Sequence, residues 1–169
     1  GGTVTEQYFD ITDFDETILD QQIGNYFAET VELISFNEFI ETASTNNNSV
    51  SIVIPTRLGF TIEAGEALLS GDYGTREVSE SYLNDVKSFV KTVLDKAIAE
   101  GVQVNALELG NEFWGAGMMT ASEYGELAGQ MALAIQEVLN LDKYASEDFV
   151  EPKILVQSLA ATGTYSPAN

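Results

Sequence analysis

Short apolar runs alternate along this chain with longer segments of helical periodicity, and this alternation limits the fold more than any other feature. The apolar runs are nearly continuous in apolar or β-branched residues and cover positions 49–55, 102–109 and 153–161. The helical segments cover positions 35–44, 79–101 and 120–141. Apolar runs of this kind are typical of strands buried on both faces, and strand–helix alternation is typical of parallel strands joined by crossover helices. We therefore predict an α/β fold with a parallel sheet and outer helices.

The helical segments carry recognisable end signals. Ser35 with Glu38, and Thr120 with Glu123, have the spacing of a capping box, and Gly101 stands where a C-terminal cap belongs. Apolar residues in each segment recur on one helical face, so we predict that they form the core. In the second segment they are Tyr82, Val86, Phe89, Val90, Val93, Leu94, Ala97 and Ile98. In the third they are Tyr124, Leu127, Ala128, Met131, Ile135 and Leu139.

The charge balance and the missing residue types exclude several classes of function. The chain has 27 acidic and 7 basic residues and a net charge of −20, which disfavours binding to nucleic acid or to an anionic membrane surface. A large excess of acidic residues is typical of proteins that stay soluble in a salty or calcium-rich medium. Cysteine and histidine are both absent, so disulfides, thiolate zinc sites and histidine-based catalysis are excluded. Acid–base chemistry near neutral pH must therefore depend mainly on Asp, Glu or Tyr.

The stretch "LELGNEFW" changes from an apolar strand to a polar and aromatic cluster. The strand parity places Leu107 and Leu109 toward the helices and Glu108 on the other face. Parallel α/β folds carry their functional groups at the carboxyl ends of the strands. The run from Asn111 to Trp114 follows such an end directly, so we predict that it lies at the functional edge of the sheet.

These residues resemble a known signature. "LELGNEFW" is similar to the end of strand four in the clan A retaining glycoside hydrolases, which are (β/α)8 barrels, and "ELGNE" resembles the branch of heparanase-like β-glucuronidases and arabinofuranosidases. "GGTVTEQYFD" resembles the tail of an Arg-x-Pro-Gly-Gly turn that closes strand two in that branch. The resemblance implies that "VSIVIPTR", "VNALELGNE" and "ILVQSL" are strands three, four and five. The chain also resembles acidic segments of long secreted bacterial proteins of the calcium-binding hemolysin type, although the Gly-Gly-x-Gly-x-Asp repeats are absent.

The resemblance implies roles for particular residues. Glu112 is the expected catalytic acid/base, and Asn111 is expected to donate to a sugar 2-hydroxyl. Phe113 and Trp114 are expected to supply apolar surroundings or a face for a sugar ring, although packing of the next helix explains Trp114 equally well, and an exposed loop carboxylate is the alternative for Glu112. In this clan the nucleophile is a Glu at the end of strand seven, a strand that the resemblance does not reach in this chain. We therefore expect the chain alone to be catalytically incomplete.

Other candidates are less specific. Arg57 follows the predicted strand at positions 49–55, at the same edge of the sheet. Its guanidinium is suited to binding a substrate carboxylate, although an ion pair with one of the many acidic residues is the simpler explanation. The long connection at 58–78 contains Glu66 and Tyr73, which we predict to line a cleft. The segment "DITDFDETILD" is a solvated acidic loop by default or, alternatively, a calcium site. Its acidic residues are Asp10, Asp13, Asp15, Glu16 and Asp20. No other cofactor is expected.

Two functions remain open from the sequence. In the first, residues 1–169 are one partial barrel domain of a longer secreted, extracellular glycosidase that acts on an oligo- or polysaccharide. In the second, they belong to a non-catalytic carbohydrate-binding or structural barrel module of a large acidic secreted protein. Both expect the rest of the longer chain as a partner, and the identity of the residue at the end of strand seven discriminates between them.

Overall fold

A computed structural model describes residues 2–13, 18–19, 31–32, 34–61, 76–113 and 119–158. The fold is mixed α/β and contains a three-stranded parallel sheet. The helices are α1 (Thr3–Tyr8), α2 (Phe36–Thr45), α3 (Glu80–Ala99) and α4 (Ala121–Leu139), with a 3-10 turn at Asp142–Tyr144. The strands are β1 (Ile18–Leu19), β2 (Val31–Glu32), β3 (Val50–Ile54), β4 (Val104–Leu109) and β5 (Lys153–Val156).

The parallel sheet has the strand order β3-β4-β5, with each neighbouring pair parallel. This confirms the three predicted strands and their side-by-side arrangement. The register pairs Ile52 with Leu107 and Ile54 with Leu109, so these four side chains share one face of the sheet. Val53 pairs with Glu108 on the opposite face. The strand parity predicted from the sequence is therefore correct.

The helices begin where the sequence predicted. Ser35 accepts a hydrogen bond from Glu38 N–H, and Thr120 with Glu123 forms a complete capping box. Ser79 caps α3, and Gly101 follows the last turn of that helix with φ +68°. A glycine is favoured there because this left-handed backbone is costly for residues that carry a Cβ.

Helices α3 and α4 pack on each other and share one core with the sheet. The predicted stripe of α4 is buried completely, and the stripe of α3 is buried except for its last residue. Ile98 is 53 % exposed, so its predicted place in the core is wrong. It lies at the margin of the buried face of α3, because the preceding residue Ala97 is 1 % exposed. Burial of the remaining side chains contributes roughly 1.5–3 kcal/mol for each large apolar residue.

Strand β5 differs from the prediction that every strand is buried on both faces. Leu155 is 42 % exposed and Val156 is 62 % exposed. A groove of about 380 Å³ lies between Val156 and the face of α4 that carries Ala121, Gly125 and Ala128. Within the described residues, β5 therefore forms an apolar edge that neither a strand nor a helix covers.

Two further features lie before α2. Strands β1 and β2 form a two-stranded antiparallel ribbon, which the sequence analysis did not predict. Helix α1 packs against β3. Of the helices in the described part of the chain, none has both the length and the apolar character needed to cross a membrane.

Candidate functional site

Arg57 and Glu112 follow the carboxyl ends of the neighbouring strands β3 and β4. Ile54 and Leu109 are register partners at the two strand ends, and Arg57 and Glu112 each follow three positions later. The chain therefore presents a cation and a carboxylate at equivalent places beyond neighbouring strands. This is the edge at which the sequence predicted functional residues.

The end of β4 turns sharply through two left-handed residues. Gly110 has φ +73° and Glu112 has φ +48°. A Cβ on Gly110 would lie 2.7 Å from Oγ1 of Thr56, so the close approach of the β3 end also requires glycine. Glu112 has no such freedom, and a left-handed conformation costs about 1–2 kcal/mol for an L-residue. The turn after β4 therefore contains a strained residue at the position of the candidate acid/base.

A buried carboxylate joins the carboxyl ends of β3 and β4 by hydrogen bonds. Glu6, on α1, is 1 % exposed. Its Oε1 accepts hydrogen bonds from the N–H (2.7 Å) and the hydroxyl (2.6 Å) of Thr56. Its Oε2 accepts from the N–H of Asn111 at 3.1 Å. Burial raises the pKa of the Glu6 carboxyl above its ordinary value, and the hydrogen bonds reduce that shift.

Two tyrosines reach the same edge from the helices. Tyr82 on α3 donates its hydroxyl to the carbonyl of Pro55. Tyr124 on α4 donates to the carbonyl of Leu109 at 2.8 Å and accepts from Gln157 N–H at 2.7 Å. These bonds satisfy backbone groups that the sheet leaves unpaired at its carboxyl end. Burial raises the pKa of both phenols.

A buried ion pair anchors the start of α4 close to this edge. Arg76 donates to both carboxylate oxygens of Glu123, at 2.8 and 3.1 Å, and its guanidinium lies 4.6 Å from the centre of the Phe60 ring. Glu123 is 4 % exposed and also accepts from Thr120 N–H at 2.8 Å. The pair fixes the first turn of the helix that follows the candidate site.

The predicted site residues have different surroundings. Asn111 is half-buried and Glu112 is exposed. Arg57 is 2 % exposed; burial lowers the pKa of its guanidinium, and the charge of Glu6 acts in the opposite direction. Phe113 is 2 % exposed and stacks on Tyr124 with ring centres 4.3 Å apart, so its ring belongs to the core. Trp114, Glu66 and Tyr73 lie outside the described residues.

The acidic segment after α1 is described only in part. Asp10 accepts hydrogen bonds from the N–H and the hydroxyl of Thr12, both at 2.7 Å, in a local turn. Asp15, Glu16 and Asp20 lie outside the described residues. Within the described ranges, three or more potential metal-ligating side chains do not come together at any point. The calcium alternative therefore stays a prediction.

Glu6, which is 1 % exposed and the most buried of the described acidic residues, was not predicted as a site residue. It stands in a short segment without clear periodicity, and its partners lie 50 and 105 residues away along the chain. The sequence analysis had only the resemblance of "GGTVTEQYFD" to the tail of a turn that closes strand two. That resemblance does not indicate which polar side chain of α1 is buried.

Comparison with known proteins adds no assignment. No family model matches the chain, and neither a curated protein nor a solved structure matches it.

Proposed function

We propose that this chain is part of a secreted retaining glycoside hydrolase with a (β/α)8 barrel, and that Glu112 is its catalytic acid/base. The observation that carries the proposal is the position of Glu112. It stands just beyond the carboxyl end of a central parallel strand, in a left-handed conformation. Strained backbone of this kind is concentrated at functional sites, where the surrounding structure must hold it.

The architecture supports the same proposal. Parallel strands in the order β3-β4-β5, with α3 and α4 packed in one core, form a repeating unit of the kind that builds a barrel. The exposed apolar residues of β5 and the groove beside α4 offer a place for a further strand and helix. Apolar sheet edges are normally covered by neighbouring elements.

The chemistry requires two carboxyl groups. A nucleophile attacks the anomeric carbon while the acid protonates the departing oxygen, and this gives a glycosyl–enzyme intermediate. The same acid/base residue then takes a proton from water, which attacks the anomeric carbon and releases the enzyme carboxylate. Glu112 would perform both proton transfers. The resemblance assigns the nucleophile to strand seven, so we expect it from another part of the full-length protein.

A second function is favoured by one observation. An acid/base residue must hold its proton near neutral pH, which requires burial or a neighbouring negative charge. Glu112 is exposed among the described residues. A non-catalytic carbohydrate-binding or structural barrel module places no such requirement on this side chain.

Substitution of Glu112 in the full-length protein tests the proposal. Glu112→Gln should lower the rate on an unactivated glycoside by about 10²- to 10⁴-fold, because general acid–base catalysis is lost. The loss should be smaller on an aryl glycoside, whose departure needs little protonation. With that substrate, azide should restore turnover and give a glycosyl azide of retained configuration, since a small anion replaces the water that the base would activate.

The matched control is Glu126→Gln, at an exposed position of α4, which should retain the wild-type rate. Equal rates of the wild type and Glu112→Gln on the unactivated glycoside would exclude the catalytic role. A full-length protein that binds oligosaccharides but cleaves none of them would establish the module instead.

A further inference from the structure

Glu6 has one carboxylate oxygen for each of two strand ends. Oε1 serves Thr56, two residues beyond β3, and Oε2 serves Asn111, two residues beyond β4. These two positions are equivalent in the sheet register, because Ile54 pairs with Leu109. The carboxylate therefore joins the turns that carry Arg57 and Glu112, although it belongs to α1, which is 50 and 105 residues away from its two partners along the chain.

The contact between the two turns is close even apart from this carboxylate. The Thr56 side chain packs directly over Gly110, where a Cβ would lie 2.8 Å from its Cγ2. Asn111, whose N–H binds Glu6, stands between the two left-handed residues Gly110 and Glu112. A shift of the Asn111 amide would therefore change the backbone that aims Glu112.

Among the described residues, charged and titratable groups around Glu6 come from the end of β3, from α3 and from α4. Arg57 lies beyond β3, and the Glu6 charge raises the pKa of its guanidinium against the larger lowering by burial. Besides burial, the charge of Glu6 raises the pKa of Tyr82 on α3 and of Tyr124 on α4. The hydroxyls of these tyrosines donate to the carbonyls of Pro55 and Leu109. The Glu6 oxygens are thus left to the donors of the two turns.

We propose that Glu6 is a positioning residue, which fixes the turn bearing Glu112 by holding Thr56 and Asn111 on one buried carboxylate. Its effect on catalysis rests on the proposed function, whereas the link between the two strand ends does not. Glu6 does not itself touch the reacting atoms in this proposal; it acts through the backbone of Asn111.

A carboxylate suits this position because its oxygens accept from the N–H and hydroxyl of Thr56 and from the N–H of Asn111, and a backbone hydrogen bond from Arg57 also lowers its pKa. Glutamine has the same shape but presents one amide oxygen and one NH₂ group. In Glu6→Gln the NH₂ group must face either the Thr56 donors or the Asn111 N–H, so only one strand end keeps its acceptor. An unsatisfied buried donor is costly, and the turn that loses its acceptor should therefore move.

The first test follows backbone amide protons by NMR in full-length protein labelled with ¹⁵N-threonine and ¹⁵N-asparagine. In the wild type, the amide signals of Thr56 and Asn111 should titrate together with a single midpoint above 4.5, the ordinary value for glutamate. Both amides donate to one carboxyl group, so its protonation must change both signals. This arm needs no variant and so does not depend on how a variant folds.

Glu6→Gln should abolish the shared titration and shift at least one of the two amide signals at constant pH. Thr120 is the internal control, because its amide donates to Glu123 and should not respond to the substitution. Separate midpoints for Thr56 and Asn111 in the wild type, or the absence of titration at either amide, would overturn the proposal.

The second test is kinetic and separates this inference from the proposed function. If the full-length protein is a glycosidase, Glu6→Gln should lower kcat by about 10- to 100-fold and change KM by less than about threefold, because a misplaced acid/base slows chemistry more than binding. An unchanged kcat would overturn the positioning role. Shared titration in a protein without glycosidase activity would instead refute the proposed function and leave the link between the strand ends established.

Discussion

Two carboxylates at opposite ends of the sheet show how burial decides what an acidic side chain does. Glu6, at the carboxyl edge, is 1 % exposed and accepts hydrogen bonds from neutral N–H and O–H groups. Asp95, on α3 near the other edge, has a side chain 41 % exposed and is contacted by Lys91 and Lys143 and by the hydroxyl of Tyr144. Burial raises the pKa of Glu6. For Asp95 the upward effect of burial is outweighed by these hydrogen bonds, and its pKa falls to about 2.

The difference in burial gives the two carboxylates different roles: Glu6 organises the structure around it, whereas Asp95 forms ion pairs at the surface. A buried carboxylate is stable only when donors are fixed around it, so Glu6 requires the ends of β3 and β4 to stay where they are. Asp95 can be hydrated if one lysine moves away, and its ion pairs are screened by salt. In this very acidic chain, the burial of a carboxylate therefore says more about its role than its charge does.

A pair of glycines, one at each edge of the sheet, tests whether the chain is packed more tightly at the carboxyl edge than at the other. Gly110 and Gly101 have similar left-handed φ values of +73° and +68°, but a Cβ would meet Thr56 only at Gly110. Gly110→Ala should lower the free energy of unfolding by about 3 kcal/mol, from backbone strain plus steric overlap. Gly101→Ala should cost about 1 kcal/mol from strain alone. Urea denaturation measures both, and equal losses would contradict the view that the carboxyl edge is the tighter one.

The electrostatic contrast predicts opposite pH dependences of stability. Because the folded-state pKa of Glu6 is raised, its contribution is complete below about 4.5 and is lost as the pH rises through that pKa. The pKa of Asp95 is lowered, so its contribution is present above 3.8 and is lost as the pH falls toward 2.

Urea denaturation at a series of pH values checks this. The stability difference between the wild type and Glu6→Gln should shrink as the pH rises above 4.5, and that between the wild type and Asp95→Asn should shrink as the pH falls below 3.8. Slopes of the same sign for the two variants would show that burial does not separate these groups.

The smallest effect is expected for Asp95→Asn at neutral pH. The loss should be about 0.5 kcal/mol in low salt, because the pairs with Lys91 and Lys143 are largely exposed. In 1 M salt the loss should be nearly absent, because screening already removes most of the stabilisation that these ion pairs give the wild type. A loss above about 2 kcal/mol that persists in high salt would place Asp95 with the buried carboxylates.

The sequence alone determined α2, α3, α4 and the strands β3, β4 and β5, because these elements depend on local periodicity and caps, and their alternation indicated a parallel sheet. It also located Asn111 and Glu112 beyond the carboxyl end of β4, since a strand's end follows from its own apolar run. It did not predict α1 or the ribbon of β1 and β2. The (β/α)8 barrel, the acid/base role of Glu112 and the secreted setting stay proposals.

Only the tertiary structure decided how those residues are held. It buried Arg57 and Phe113, left Ile98, Leu155 and Val156 exposed, and gave Glu112 a left-handed backbone. It also brought Glu6 to donors 50 and 105 residues away. Local patterns report which face of an element is apolar, whereas burial of a single carboxylate depends on which distant backbone groups meet it. Sequence periodicity contains no information about such long-range contacts, because the free energy of burying a carboxylate is set by partners from several elements at once.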